Sequence, residues 1–397
     1  MNSRAIEIAA LKVQRRWLLI LGVLLIGATL RAPITSVGPV LLDIQRDGDF
    51  GSLAAGLIQA LPLVCFALVS LIAPKIGRLV GVGRALGLSL VIITAGTLVR
   101  SSPGEGAVWI GTVLLSAGIA ISNVLLPSYV KHEFGERGPW LIGLYVAAMA
   151  IVAGIASGIA IPIAQMPGLD WRWSLGIWAM LSLLALIIWM PQLRSSRTQS
   201  VRSENSTCTF SPWRSRKGWC IAIFFALHSL VFYCVIGWYT AYAEDTGMSA
   251  ATAGYHLLIY QIISTIANIF TGPIIRKLTN LSWIGFACGS VLVVGATGLL
   301  IQPQLALLWV ALLGLGAGGT MVMSIALFAI CTETPQQAAK LSGMAQFIGY
   351  TGAALGPLGI GVLRDAMDGW FWPLTLIVVA SVGVTVFASL SGKPGRT

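Results

Sequence analysis

Charge is scarce in this chain. Of its 397 residues, 10% are Asp, Glu, Lys or Arg and 56% are hydrophobic. A soluble domain carries roughly 25% charged residues, so no stretch is left for a soluble catalytic domain. Acid is scarcer than base, with 14 Asp and Glu against 25 Lys and Arg. Asp43, Asp47, Asp49, Glu105, Asp170, Glu244, Asp245, Asp365 and Asp368 fall in loops on one side of the expected membrane. Glu7, Glu133, Glu136, Glu204 and Glu333 fall on the other, so the apolar interior receives no carboxylate. The three histidines, His132, His228 and His256, are too far apart to suggest a metal cluster. The six cysteines form no CxxC and read as small buried apolar residues, not as disulfides or metal ligands. There is no Walker-type loop, no HExxH and no pair of intramembrane carboxylates. An enzyme and an ATP-driven pump are both disfavoured, and no cofactor or metal is expected. The net charge of +11 would suit nucleic acid, but the basic residues sit in short loops between apolar runs, where topology explains them.

Long apolar runs are what the chain does have. A helix needs about 20 apolar residues to cross a bilayer. Twelve stretches meet this, at 17–41, 52–73, 85–100, 107–129, 139–163, 172–190, 217–241, 252–274, 281–301, 304–330, 338–363 and 370–391. The first is too long for a cleaved signal, and many more follow it. The expected class is an all-α membrane protein. A polar segment, 191–216, divides the runs into an N-terminal six-helix bundle, 1–190, and a C-terminal one, 217–397. With the N-terminus inside, twenty of the 25 basic residues fall on the inner side. That bias places both termini in the cytoplasm and the protein in the cytoplasmic (inner) membrane as a multi-pass chain.

The halves echo each other. "APKIGRL" at 73–79 matches "GPIIRKL" at 272–278, an offset of 199, and "LLSAGIAISNVLL" at 114–126 matches "LLGLGAGGTMVMS" at 312–324, an offset of 198. The shared offset implies a duplication, with a solute site near the midplane.

Twelve spans, duplicated halves and a basic central loop resemble the major facilitator superfamily. The loop "APKIGRLVGVGRAL" resembles that superfamily's loop between spans 2 and 3, with Gly81 and Arg84 matching and Arg78 standing at the usual acidic position. "LRAPITSVGPVL", "NVLLPSYVKHEF", "SLVFYCVIGW" and "AAKLSGMAQFIGYTGAALGP" together look like its cyanate-permease and nitroimidazole-transporter branch. The resemblance implies the major facilitator fold, two pseudo-symmetric six-helix bundles, with spans 1, 4, 7 and 10 lining a cavity and parts of 2, 5, 8 and 11 joining them.

Arg31 is expected to be the single full charge deep in a span. A buried arginine is costly, about 2.5–3.5 kcal/mol on insertion scales, and so faces protein or water. It reads as the anchor for a small anion, its planar fork suited to a carboxylate or nitro group. The alternative is a structural arginine capping carbonyls of a neighbouring helix. Thr35 and Gly38 are expected on its face, one turn and two turns on. Asn123 on span 4 either orients a solute or binds backbone freed by Pro127. On span 7, His228 is either a satisfied hydrogen-bonding residue or a proton carrier, and Tyr233 shares a face with Gly237. Trp238 either shapes the cavity or joins the outer aromatic belt with Tyr239. Span 8 carries a polar stripe, Gln261, Ser264, Thr265 and Asn268, and span 11 another, Ser342, Gln346 and Tyr350. Packing between helices explains such stripes as well as solute contact does.

The reading is a secondary active or facilitative transporter of a small polar, anionic or nitro-bearing solute, working as a monomer in the lipid bilayer, with the proton as candidate coupling ion. The rivals are an exporter with a mainly apolar cavity and a non-transporting membrane receptor or scaffold.

Overall fold

The structure, a computed structural model, describes residues 17–104, 106–134, 138–195, 211–333 and 335–394. Among these residues it is built from helices and turns. Twelve helices are long and apolar enough to cross a membrane. Spans 1 to 6 are Trp17–Gly48, Ser52–Val80, Val82–Arg100, Ala107–Pro127, Leu141–Ala164 and Trp171–Leu193. Spans 7 to 12 are Arg216–Asp245, Ala250–Ile275, Ser282–Ile301, Pro303–Phe328, Lys340–Met367 and Phe371–Ser391. Each expected stretch has its helix, and most helices run past the apolar run into polar flanks, where backbone hydrogen bonds continue at no loss of solvation.

Two boundaries differ from expectation. The segment 191–216 begins as helix, because Trp178–Ser195 continues through Pro191. Residues 196–210 lie outside the described residues. Span 7 then starts behind a short 3-10 turn, Pro212–Arg214, with Ser215 as its N-cap, the Oγ accepting from Gly218 N at 3.1 Å.

Span 1 is not one regular helix. It turns at Leu30 and Arg31, resumes as Ala32–Thr35, tightens to a 3-10 turn at Gly38–Val40 and ends in Leu41–Gly48. Pro33 and Pro39 supply no N–H, so the i to i−4 ladder is interrupted at both. Expecting Thr35 and Gly38 on the face of Arg31 assumed a regular helix, which the turn at Leu30 and Arg31 and the 3-10 turn at Gly38–Val40 interrupt.

The described chain forms two compact units. The first holds the chain up to Pro33, Val69–Val152 and span 6 from Leu175. Here span 3 packs on span 4, and span 6 packs on span 3, where Trp189 Nε1 donates to Gly83 O at 2.8 Å. The second unit holds Ile34–Leu68, Ala153–Ser174 and the described chain from residue 211. In it span 7 packs on spans 11 and 12, span 8 on span 10, and span 9 on spans 10 and 12.

The repeat read from the sequence recurs in the helix crossings. In span 3, a Cβ on Gly96 would lie 2.9 Å from Leu115 Cα. In span 9, one on Gly295 would lie 3.0 Å from Leu313 N. A Cβ on Gly118 would lie 2.7 Å from Ser89 O, and one on Gly316 2.8 Å from Cys288 O. Every member of each set is related by an offset of 198 or 199. Spans 3 and 4 therefore cross as spans 9 and 10 do, backbone against backbone, as small residues allow in a membrane.

Candidate functional site

In the first unit, Arg31 sits half-buried at the turn that breaks span 1. Asn123 is half-buried on span 4, four residues before the in-helix Pro127. The expectation that Arg31 is alone needs correction. Arg100, expected in an outer loop, is the last residue of span 3 and only 1% exposed. Its Nη1 donates to Pro33 O at 2.6 Å. Carbonyl capping was the structural role considered for Arg31, and here a second arginine performs it.

The remaining candidates lie in the second unit. Thr35 is buried and its hydroxyl donates to Ala153 O at 3.0 Å, while Ser157 Oγ donates to Thr35 O at 3.1 Å. Span 5 thus satisfies backbone that the breaks in span 1 leave open. His228, 3% exposed, meets Thr320 Oγ1 through Nδ1 at 2.9 Å. Thr320 Oγ1 also lies 2.8 Å from Gly316 O. A hydroxyl has one proton, so if it goes to that carbonyl, His228 Nδ1 is the donor to the threonine. Tyr233 is half-buried, edge-on to Phe232.

Trp238 is 1% exposed and donates Nε1 to Pro357 O at 3.1 Å; Tyr239 is buried as well. Neither belongs to a lipid-facing belt. They line a small apolar crevice with Tyr242 and Trp370 whose polar tips are engaged elsewhere. Tyr242 OH donates to Leu299 O at 2.7 Å, and Tyr239 OH meets His256 Nδ1 at 2.6 Å.

The stripe on span 8 faces inward, since Ile262, Ile266 and Ile269 occupy the exposed face. Gln261 is 4% exposed and its Nε2 meets no protein acceptor. On span 11, Gln346 Nε2 donates to Ser342 Oγ at 2.9 Å, and Tyr350 stands edge-on to Phe66 of span 2 and Phe225 of span 7.

One further amide went unnoticed in the sequence. Gln59, on span 2, lies against the backbone of Gly237, and its Nε2 is buried without a protein acceptor. A lone glutamine in the apolar run "GLIQALPLV" is the signal that would have found it.

The acid-rich end of the second unit is tightly joined. Asp365 accepts from Ser52 N at 3.2 Å and Leu53 N at 2.9 Å, a carboxylate at the N-terminus of span 2, where the helix dipole favours it. Arg364 donates to Asp245 at 2.8 Å, Trp370 donates to the same oxygen at 2.7 Å, and Arg172 pairs with Asp47 and Asp170. A Cβ on Gly56 would lie 2.7 Å from Pro357 O, so spans 2 and 11 touch through backbone just below these pairs. Span 2, from the first half of the chain, is thus held to span 11 at this end.

Comparison with known proteins agrees with this geometry. The model of the Major Facilitator Superfamily matches residues 19–357. The chain is 33% identical over 384 residues to the 2-nitroimidazole transporter of Escherichia coli (strain K12), covering 97% of this chain and 98% of that protein. It is 28% identical over 379 residues to the cyanate transport protein CynX of the same organism, covering 93% and 95%. Its fold is similar to a bacterial homologue of the human lysosomal transporter Spinster in an inward-facing, unoccupied conformation, with TM-score 0.77 at 13% identity over 95% of this chain and 97% of that one. With twelve spans, a repeated helix frame and these relatives along nearly its whole length, the chain belongs to the major facilitator superfamily and is a transporter of the branch that includes the nitroimidazole and cyanate transporters.

Proposed function

We propose that the protein carries a small anionic or nitro-bearing solute across the cytoplasmic membrane by alternating access. Arg31 is the anchor. The carrying observation is a half-buried arginine at the turn that breaks span 1, a costly place for a full charge. Such a cation is costly unless it faces protein, water or a solute that uses it. In the first unit Asn123 is the candidate neutral polar group; in the second, the candidates are Tyr233, Gln261, Gln346 and Tyr350, with His228, Trp238 and Thr35. The relatives named for cyanate and 2-nitroimidazole support this solute class. The moving bodies in this reading are the bundles 1–190 and 217–397, joined by 191–216, in a monomer.

The test is binding by thermal shift on purified protein, followed by flux in liposomes, with cyanate and 2-nitroimidazole as probes. Arg31→Ala should fold and lose cyanate binding by more than tenfold, since a hydrogen bond to a charged group contributes about 1.5–3 kcal/mol. Arg31→Lys should restore part of it, because an ammonium lacks the planar fork. Full cyanate binding by Arg31→Ala, or none by the wild type, would refute the anchor.

Coupling in this reading runs through His228 or through the solute's own protonation, or the carrier is a uniporter. Both termini are cytoplasmic and the acid-rich end faces outward, as the basic loops favour. Cysteines placed at Gln199 and Gly104 should label from opposite sides; same-side labelling would exclude this orientation.

A further inference from the structure

Arg100 is a buried full cation at the end of span 3. Among the described residues no carboxylate pairs with it, and its Nε and Nη2 meet no protein acceptor. A charge in that position is a burden on stability, not a support. Its one protein acceptor among the described residues is Pro33 O, two residues beyond Arg31.

That carbonyl is open for a structural reason. Val37 N bonds to Ile34 O at 3.2 Å, and so does not reach back to Pro33 O. Pro33 itself has no N–H to give to the preceding turn. The segment after Arg31 has therefore lost helical bonds on both sides, and it would swing if nothing held it. Arg100 is in turn held firmly. Gly111 of span 4 brings the two backbones together so closely that a Cβ there would lie 2.5 Å from Arg100 Cβ.

We infer that Arg100 is a positioning residue: through the Pro33 carbonyl it fixes the break in span 1, and so presents the Arg31 guanidinium to the solute in one orientation. Arg100 does not itself touch the solute. The inference rests on the reading of Arg31 as anchor.

A merely structural arginine and a positioning one predict different outcomes. The test is Arg100→Met, with Arg100→Gln as a second variant should the first fail to fold. Removing an uncompensated charge should leave the unfolding temperature in detergent unchanged or raised. Cyanate affinity should nevertheless fall about tenfold, and hydrogen exchange should rise at residues 34–37. The same substitution in an Arg31→Lys background should weaken cyanate by twofold or less, since a flexible ammonium depends little on a fixed fork. Unchanged affinity and unchanged exchange in both variants would overturn the inference while leaving the Arg31 anchor standing. A fall in affinity of the same size in both Arg31 backgrounds would overturn it too. If Arg31→Ala itself binds cyanate normally, the anchor has failed, and this inference with it.

Discussion

Spans 3 and 4 and spans 9 and 10 are two copies of one helix pair that have kept their frame and exchanged their polar links. The glycine crossings agree residue for residue, Gly96 with Gly295 and Gly118 with Gly316. Near one end the copies part. Gly111 of span 4 accepts the backbone of Arg100, while its counterpart at the same offset, Trp309, lays its ring on Gly298 of span 9. Arg100 has Leu299 as counterpart. In the first copy the Arg100 side chain reaches the Pro33 carbonyl of span 1; in the second, Tyr242 of span 7 reaches the Leu299 carbonyl. Both tie the end of the third helix of a half to the first, with donor and acceptor reversed. Ser122 and Thr320 diverge likewise. Ser122 Oγ meets Ser89 Oγ at 2.6 Å within its own pair, while Thr320 turns to His228 of span 7. Backbone crossings tolerate little change because no neighbouring side chain can move to make room. Polar links can be rewired one hydrogen bond at a time, and the rewired positions are where the halves can take different tasks.

The comparison breaks first at the crossings. Gly96→Val and Gly295→Val should each destabilise the protein by about 3 kcal/mol or more, the upper end for overpacking, since the clash is with backbone. Thermal unfolding in detergent would show it. A large loss at one site and none at the other would mean the two pairs do not share a frame. A smaller effect sharpens the contrast. Ser122→Ala and Thr320→Val each remove one hydroxyl link, costing about 0.5–1.5 kcal/mol. Only Thr320→Val should also alter cyanate flux in liposomes, because it touches His228. Equal effects on flux would remove His228 from the mechanism.

Much of this was legible in the sequence. The twelve spans follow from run length, and the inward face of span 8 from the spacing of Gln261, Ser264, Thr265 and Asn268. The repeat offset found in two short strings is the one that governs the crossings. Some of it was not legible. Arg100 read as a loop residue because it ends an apolar run, and nothing in its neighbours "LVRSSPG" tells whether the side chain turns outward or back into the bundle. Whether Trp238 and Tyr239 join an outer belt or the interior stayed open in the sequence for the same reason. The two prolines of span 1 announced a disturbance, but not where the helix would turn and tighten.

Sequence alone determined the class, the spans, the duplication and the family, because lipid demands long apolar helices and each demand is written locally along the chain. It also determined that Arg31 stands within the first apolar run. Only the tertiary structure decided which broken carbonyls find which donors, Pro33 with Arg100 and Thr35 with Ser157. Those bonds join residues 67 and 122 positions apart. Their partners are chosen by where helices cross, a property of pairs of spans that no single stretch of sequence contains.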